Sequence, residues 1–286
     1  MSLQRKLPFK AQQGYCTIAQ NTQDIDYLRL AYVQALSVKA TQKINNFAVI
    51  VDKETAKQIT STHKKVFDSI VELPFADMAE DNTWKLDNEW QVWWATPFKE
   101  TIKLESDLLL TVNQDHWWNL LRYRDVCFSV VAKDYRGTTS SCRQYRKVFD
   151  TNNLPNAYNG FSYFRYSKTS ADFFLALKNI FENKNQVAKS LKNCSLIATD
   201  EAYAIAATII GQEKCFIPHT SYPCITHMKP ALQGWSKTQN WLDLLPYSLD
   251  KNGITVGGYK QIYPFHYYEK EFITDKVISH YEQLVF

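Results

Sequence analysis

The chain has 286 residues, of which 45% are hydrophobic and 22% are charged, and its formal net charge is +4. This composition excludes a disordered or fibrous chain, and the length suits one large domain or two small ones. The mild positive charge permits an anionic partner but does not require one. No apolar run reaches the length of a membrane helix, so we expect no membrane segment.

Two further features of the sequence bear on location. The six cysteines include no Cys-x-x-Cys pair, which is typical of reduced thiols in a cytoplasmic protein. The first residues, MSLQRKLPFKAQQGY, contain no apolar stretch of the signal-peptide type. We therefore expect a cytoplasmic protein.

The first half of the chain alternates between predicted strands and helices. Hydrophobic patterning predicts strands at 14–19, 46–52, 69–73, 100–110 and 126–131, and helices at 24–43, 53–67, 88–96 and 116–122. Thr22 or Asp24 is suited to cap the first helix. The second strand is apolar throughout, as expected in a buried parallel sheet. This alternation predicts an α/β fold with a mainly parallel sheet flanked by helices.

The second half of the chain is less regular. Its patterning predicts a strand at 161–165 and helices at 170–183, at 199–210 and after Thr274. Ser170 is suited to cap one of these helices, and Asp200 and Glu201 favour the start of the next through its dipole. From Gly211 onward the chain is rich in Pro, Tyr, Trp and Gly, which predicts loops. No repeat or linker divides the chain, so we expect a single domain over residues 1–286.

Two carboxylates interrupt an apolar run, because residues 98–110 read FKETIKLESDLLL. In one continuous strand, Glu105 and Asp107 would point to the same side. An unpaired buried carboxylate is costly, so such groups are paired, hydrogen-bonded or bound to metal. One interpretation is an edge strand with one solvated face. The other is a site for a hard divalent cation, whose preferred ligands are oxygen atoms.

Four stretches, taken in order, resemble motifs of GT-A glycosyltransferases. Residues 97–107 (PFKETIKLESD) resemble the apolar strand that ends in an Asp-x-Asp motif, with Glu105 in place of the first Asp. Residues 156–164 (NAYNGFSYF) are similar to the asparagine–glycine strand near the donor sugar. Residues 199–201 (TDE) are similar to an acidic pair on the acceptor side. Residues 226–235 (THMKPALQGW) are similar, in another order, to the His, Gly and Lys-Pro-Trp elements of family-8-type transferases. Residues 14–52 also resemble phage-encoded glycosyltransferases.

This resemblance covers about residues 14–235 and implies a Rossmann-like GT-A fold. Residues 14–131 would then bind a nucleotide-sugar, and residues 132–286 would form the acceptor side. The implied activity is sugar transfer from a nucleotide-sugar, with UDP as the expected nucleotide, to an acceptor hydroxyl. Mn²⁺ or Mg²⁺ is the implied cofactor, because the departing diphosphate needs charge neutralisation by a Lewis acid.

The resemblance also implies roles for individual residues. Asp107, Glu105 and His227 would hold the metal ion, with His266 as the rival of His227, and a nitrogen ligand favours Mn²⁺. Donor binding is expected from Gln20, Asn21, Tyr27, Asp52, Glu105 and Lys229, and catalysis from Asp200, Glu201 and Asn159. Structural alternatives stay open: the acidic residues at helix starts could be caps, Asn159 could serve a turn, and His227 and Lys229 could be ordinary loop side chains.

A basic segment suggests the acceptor. Residues 122–147 contain seven basic residues and three tyrosines, and Arg136, Arg143 and Arg146 are the expected contacts with a nucleic-acid backbone. With the phage resemblance, this predicts transfer to a 5-hydroxymethylated pyrimidine of double-stranded phage DNA, extruded from the duplex, in the cytoplasm of an infected host cell. The alternatives are an ordinary basic surface, a polysaccharide or other small acceptor, and a non-catalytic nucleic-acid-binding protein on a degenerate GT-A fold.

Overall fold

The structure is a computed structural model, and it describes residues 8–79, 85–140, 145–216 and 224–286. Its strands are β1 (Ala11–Ala19), β2 (Phe47–Val51), β3 (Ser69–Glu72), β4 (Phe98–Leu104), β5 (Leu108–Leu109), β6 (Val126–Ser129), β7 (Val131–Lys133), β8 (Thr139–Ser140), β9 (Tyr158–Arg165), β10 (Cys224–His227), β11 (Tyr247–Asp250), β12 (Gly253–Val256), β13 (Tyr259–Lys260) and β14 (Phe265–His266).

The helices lie between and after these strands. They are α1 (Tyr27–Thr41), α2 (Lys53–Ala56), α3 (Ser61–Val66), α4 (Val92–Ala95), α5 (His116–Leu121), α6 (Lys147–Thr151), α7 (Lys168–Glu182), α8 (Lys184–Ser190), α9 (Thr199–Ile210), α10 (Pro230–Gln233), α11 (Trp241–Leu244) and α12 (Asp275–Val285), with 3₁₀ helices at Lys85–Gln91, Gln212–Lys214 and Lys270–Phe272. Within the described ranges, no helix combines the length and the apolar character needed to cross a membrane.

The main sheet has six strands in the order β3-β2-β1-β4-β9-β6. β1 pairs in parallel with β2 and β4, and β3 pairs in parallel with β2, whereas β9 runs antiparallel to β4 and β6. Every residue of β2 is buried, as expected for a parallel strand covered on both faces. These observations confirm the predicted α/β fold with a mainly parallel sheet.

Helices on the two faces of the sheet define two apolar layers. Val49 and Val51 of β2 pack into the layer that contains α1, whereas Ala48 and Ile50 pack into the layer that contains α7 and α9. This alternation follows from the period of two along a strand. Because β1, β2 and β4 are parallel, their carboxyl ends lie at one edge, where ligands bind in open α/β sheets.

A second sheet brings the C-terminal part of the chain to this edge. Its strand order is β5-β14-β10-β7-β8, with β14 parallel to β10 and antiparallel to β5. In this register His266 lies beside His227 on one side and opposite Leu108 on the other. Both histidines therefore come next to the acidic segment that follows β4. A third, antiparallel sheet contains β11, β12 and β13.

The prediction of one strand over residues 100–110 is wrong. β4 ends at Leu104, Glu105 to Asp107 form a turn, and β5 belongs to the second sheet. Gln34 of α1 explains the break, because its side-chain amide donates hydrogen bonds to the backbone carbonyls of Glu105 and Leu108. The two carboxylates therefore do not share a strand face, and the turn is what brings them together.

Other predicted elements are divided in the structure. The predicted helix 53–67 consists of α2 and α3, and the predicted helix 88–96 is a 3₁₀ helix that continues into α4. The predicted strand 126–131 consists of two strands, of which β6 belongs to the main sheet and β7 to the second sheet. Apolar patterning identified these segments, but it does not encode the tertiary contacts that divide them, such as the four-residue break between α2 and α3 and the one-residue break between β6 and β7.

The predicted caps of two helices are also wrong by a few residues. The carboxylate of Asp26, rather than Thr22 or Asp24, accepts the hydrogen bond at the start of α1. The hydroxyl of Ser167, rather than Ser170, accepts it at the start of α7. In both cases another residue with a suitable side-chain oxygen lies a few positions away, and the backbone path decides which one caps the helix.

Candidate active site

A cavity of about 490 Å³ lies at the carboxyl edge of the main sheet. Its walls come from the ends of β1 and β4, the turn after β4, β9, the start of α9, and the loops after β10 and β14. The sequence-predicted site residues that line it are Gln20, Tyr27, Glu105, Asp107, Asn159, Asp200, His227 and Lys229. The fold thus brings together residues that are far apart in the sequence.

The polar centre of the cavity is a cluster of two carboxylates and one imidazole. Glu105, Asp107 and His266 each present one potential metal ligand, and these atoms lie within 4.8 Å of one another. The Nε2 atom of His266 is 2.7 Å from Oε2 of Glu105 and 3.1 Å from Oδ1 of Asp107. Two carboxylate oxygens and one imidazole nitrogen form a donor set that suits Mn²⁺ and also accepts Mg²⁺.

Charges around this cluster shift the pKa values of its members. Burial opposes the ionised form of Asp107, but His266 and Lys270 outweigh it and hold the pKa of this carboxyl well below its usual range. Burial likewise disfavours imidazolium at His266, whereas Asp107 and Glu105 stabilise it and raise its pKa to about 9. Without a metal ion the cluster therefore holds ionised carboxylates neutralised by neighbouring cations.

His227 lies beside the cluster rather than in it. Its ring centroid is 4.1 Å from that of His266. Its Nδ1 atom accepts a hydrogen bond from the backbone N–H of Lys229 at 3.3 Å. Burial lowers the pKa of His227 well below its usual value, so the ring is neutral. Since Nδ1 accepts, the proton of the neutral ring lies on Nε2, which makes that atom a hydrogen-bond donor. Because His266 lies at hydrogen-bond distance from both carboxylates and His227 lies on the neighbouring strand β10, the geometry favours the rival ligand, His266, over His227.

Asp200 and Asn159 form a second polar wall. Oδ1 of Asp200 accepts from the backbone N–H of Asn159 at 2.9 Å, and Oδ2 pairs with Nη1 of Arg146 at 3.0 Å. The side-chain nitrogen of Asn159 is buried and has no hydrogen-bond partner within the described parts of the chain. A buried amide without a partner is costly, so this nitrogen is a candidate contact for a ligand.

Arg146 does not lie on the surface that was predicted to contact DNA. Its side chain is 6% exposed, and its guanidinium carbon lies 3.8 Å from the ring centroid of Tyr158 and 4.2 Å from that of Phe149. These contacts and the ion pair with Asp200 fix the arginine inside the protein. Arg136 is half-exposed but pairs with Asp134 at 2.9 Å. The third predicted contact, Arg143, lies outside the described residues.

The remaining predicted site residues have supporting roles in this structure. The carboxylate of Glu201 accepts from the backbone N–H of Ala198 at 3.1 Å, so it caps α9 as the structural alternative expected. Asp52 accepts from the backbone N–H of Thr55 at the start of α2. Asn21 accepts from the backbone N–H of Leu28. None of these three acceptor side chains lines the cavity.

Gln20 and Tyr27 border the cavity near the carboxyl end of β1. The side-chain nitrogen of Gln20 donates to Asp52 at 3.0 Å and to Asp77 at 3.1 Å, while its oxygen accepts from Asn88 at 2.8 Å. Burial raises the pKa of Tyr27, so its phenol stays protonated and can donate a hydrogen bond. The amide of Gln20 is therefore held by other side chains of the protein, whereas the phenol of Tyr27 borders the cavity.

Two lysines contribute positive charge to the cavity. Lys229 was predicted; its ammonium lies 3.9 Å from the ring centroid of Tyr145, and burial lowers its pKa. Lys270 was missed; its ammonium lies 2.6 Å from Oδ2 of Asp107. The available signal was the sequence HYYEK, in which Lys270 follows His266 by four residues.

A buried ion pair beside the cavity was also missed. Nζ of Lys103 in β4 lies 2.6 Å from Oε2 of Glu89, and the two side chains are 1% and 4% exposed. Glu89 lines the cavity. A lysine two residues before the acidic turn was the signal in the sequence, because a charged side chain inside an apolar parallel strand needs a partner.

No family model matches the sequence, and no curated protein matches it. Among solved structures, the galactosyltransferase LgtC, in complex with donor and acceptor sugar analogs, has a TM-score of 0.50 and 10% sequence identity over 95% of this chain and 95% of that protein. Mouse xyloside xylosyltransferase 1 has a TM-score of 0.43 and 11% identity over 72% of this chain and 84% of that protein. The glycosyltransferase GlyE of Streptococcus pneumoniae TIGR4 has a TM-score of 0.40 and 9% identity over 73% of this chain and 45% of that protein. The likeness to LgtC confirms the expected GT-A fold.

Proposed function

We propose that the protein is a metal-dependent glycosyltransferase that moves a sugar from a nucleotide-sugar, with UDP as the expected nucleotide, to an acceptor hydroxyl. The observation that carries this proposal is the convergence of Glu105, Asp107 and His266 in a cavity at the carboxyl edge of a GT-A sheet. Titratable groups whose pKa values are strongly shifted cluster at functional sites, and Asp107 and His266 are such groups in a cavity, which argues against the non-catalytic alternative.

The residues of the cavity fit the needs of this reaction. A bound Mn²⁺ or Mg²⁺ ion supplies Lewis-acid stabilisation of the departing diphosphate. Glu105, Asp107 and His266 would hold the ion. The ammonium groups of Lys229 and Lys270, which both line the cavity, would bind diphosphate oxygens as point charges.

The second polar wall fits the transferred sugar. The side-chain amide of Asn159 would donate to a sugar hydroxyl, and the carboxylate of Asp200 would accept from one. Arg146 acts through Asp200, since its ion pair and its stacking between two rings fix the orientation of that carboxylate. We do not assign Glu201 a contact with the sugar, because its carboxylate caps α9.

For the acceptor we favour a saccharide or another small hydroxyl compound over a hydroxymethylated base in DNA. The DNA hypothesis expected backbone contacts from Arg136, Arg143 and Arg146, but Arg146 is buried and Arg136 is paired with an acid. The aromatic rings of Tyr145 and Tyr268 line the cavity and offer apolar surfaces against which a sugar ring can pack.

The test is a panel of nucleotide-sugars incubated with the protein and Mn²⁺, with release of the nucleoside diphosphate as the readout. Each donor is offered with simple saccharides, with hydroxymethylcytosine-containing DNA and with unmodified DNA. We expect diphosphate release with at least one UDP-sugar, its loss in excess chelator, and product on a saccharide. Release from no donor would refute the proposed function, and product on modified DNA alone would restore the DNA hypothesis.

A further inference from the structure

The carboxylate of Asp107 already has two cationic partners in this structure. Its Oδ2 atom is 2.6 Å from Nζ of Lys270, and its Oδ1 atom is 3.1 Å from Nε2 of His266. The ammonium of Lys270 also donates to the backbone carbonyl of Tyr268 at 2.7 Å. A divalent ion bound by Asp107 would therefore share this carboxylate with a like-charged ammonium at hydrogen-bond distance, and the two cations would repel each other.

We propose that Lys270 exchanges partners during ligand binding. It neutralises Asp107 in the ion-free protein, leaves that carboxylate when the ion binds, and then contacts the diphosphate of the donor. The exchange makes ion and diphosphate bind cooperatively, because the diphosphate removes the cation that competes with the ion. This inference rests on the proposed function for the identity of the anion, but the competition between Lys270 and the ion does not depend on it.

The surroundings of Lys270 allow such a movement. Its side chain is 27% exposed and borders the cavity, so its ammonium has open space on the cavity side. Its ammonium lies 5.3 Å from the ring centroid of Tyr268. This ring can stay close to the cation both when Lys270 pairs with Asp107 and when it contacts the diphosphate. Tyr268 has a φ of +64°, an uncommon value for a residue other than glycine, and this turn lets both His266 and Lys270 face Asp107.

Lys229 provides a matched comparison within the same cavity. Its ammonium lies over the rings of Tyr145 and Tyr268, at 3.9 and 5.8 Å from their centroids. Among the described residues it forms no ion pair with a carboxylate. Lys229 and Lys270 thus share charge, cavity and an aromatic neighbour, and they differ in the contact with Asp107. Loss of Lys229 should weaken diphosphate binding without changing the affinity of the protein for the ion alone.

The experiment measures two affinities for wild type, Lys270→Met and Lys229→Met by titration calorimetry. The first titration uses MnCl₂ alone, and the second uses UDP or GDP with Mn²⁺ at saturation. For Lys270→Met we expect Mn²⁺ to bind about tenfold tighter, equivalent to about 1.4 kcal/mol, and UDP or GDP to bind at least about tenfold more weakly. For Lys229→Met we expect only the weaker nucleotide binding.

The outcomes separate this inference from the proposed function. Unchanged or weaker Mn²⁺ binding to Lys270→Met would overturn the exchange, whatever the nucleotides do. Failure of both nucleotides to bind wild type with Mn²⁺ would instead refute the donor class. Lys270→Gln, which keeps a polar side chain without the charge, is measured in parallel and should show the same tighter Mn²⁺ binding. By reciprocity, wild type should also bind Mn²⁺ more tightly with UDP present, and this gain should be smaller in Lys270→Met, where only the direct attraction between ion and diphosphate remains.

Discussion

Asp107 connects the imidazole of His266 and the ammonium of Lys270 through the two oxygens of one carboxylate. Replacing it with alanine removes a proposed metal ligand, and metal stabilisation of a leaving group is worth several kcal/mol. We therefore expect Asp107→Ala to lower kcat/KM for nucleotide-sugar consumption about 100-fold or more. The circular dichroism spectrum should be unchanged, because the side chain lies at the cavity wall. Near-normal turnover would contradict the assigned cluster.

A second residue-scale prediction concerns the buried pair of Lys103 and Glu89, whose charged atoms are 2.6 Å apart. Lys103→Met leaves the buried carboxylate of Glu89 without its cationic partner, so the free energy of unfolding should fall by about 3–5 kcal/mol. The double variant Lys103→Met/Glu89→Leu removes both charges and should recover most of this loss. Denaturant titration measures both. Equal losses in the single and double variants would show that the pair is not coupled in solution.

Among the secondary-structure elements, α1 stabilises the segment that follows β4 through side chains instead of backbone pairing. Polar residues on one face of α1 and at its end form hydrogen bonds with the backbone between residues 105 and 114. These residues are Gln34, Ser37, Thr41 and Gln42. Their spacing places them on one side of the helix. They compensate the backbone groups of a segment that leaves the main sheet.

Gln34→Leu tests whether this contact sets the geometry of the acidic turn. The change leaves the carbonyls of Glu105 and Leu108 without their donor, at a cost of about 1–3 kcal/mol each in the free energy of unfolding. Because the same turn carries both carboxylates, Mn²⁺ should bind about tenfold more weakly. Ser37→Ala is the control, since Ser37 bonds the same segment beyond the turn. It should lower stability but leave the Mn²⁺ affinity unchanged, and parallel effects in both variants would refute the positioning role.

Glu100 joins three strands and the end of α5. It accepts hydrogen bonds from Gln12 at 3.0 Å, from Arg122 at 2.7 Å and from Tyr163 at 3.2 Å. Burial alone would raise the pKa of Glu100, but these donors and the arginine charge outweigh it and lower the pKa. A lowered folded-state pKa gives stability that is present above the unfolded value, about 4.3, and is lost as pH falls through the folded value.

Glu100→Gln should therefore destabilise the protein most at neutral pH. We expect a loss of about 1 kcal/mol at pH 7, a modest value because Arg122 is partly exposed to solvent. The difference from wild type should shrink below about pH 4, where the wild-type carboxylate becomes protonated. Denaturant titrations at pH 7, 5 and 3 measure it. A difference that stays constant with pH would show that the charge of Glu100 does not contribute.

At the scale of the whole molecule, the sequence pattern predicted the features that depend on residues close together in the chain. Strands β1 and β2 and helix α9 follow from apolar periodicity and from acids in a first helical turn, and Glu105 and Asp107 stand out within an apolar run. Long-range pairing was not accessible in this way. His266 reaches the carboxylates only because β14 pairs with β5. The residue opposite His266 in that pairing is Leu108, which lies 158 residues earlier in the chain (266 − 108).

Arg146 shows the same limit of prediction from sequence, because a long-range contact buries a side chain that the sequence predicts as exposed. Its basic, tyrosine-containing surroundings predicted a surface that contacts phosphates, yet its guanidinium is buried against Asp200, which lies 54 residues further along the chain. A charged side chain is read from sequence as exposed unless its partner is known. Only the packing of α9 against β9 supplies that partner, so composition alone gave the wrong environment for this residue.

The proposed function also predicts how the stability of the whole molecule responds to ligands. A ligand that binds only the folded state raises the free energy of unfolding by about 2.7 kcal/mol at 100 times its Kd. For a chain of this size, this corresponds to a rise in Tm of roughly 5 °C. We expect this rise with UDP and Mn²⁺ together, a smaller rise with Mn²⁺ alone, and little with UDP in excess chelator, because the diphosphate then lacks its counterion. Scanning fluorimetry with wild type and Asp107→Ala measures all three conditions. An equal rise with UDP in chelator, or an equal rise in the variant, would show that the nucleotide binds without the ion held by Glu105, Asp107 and His266.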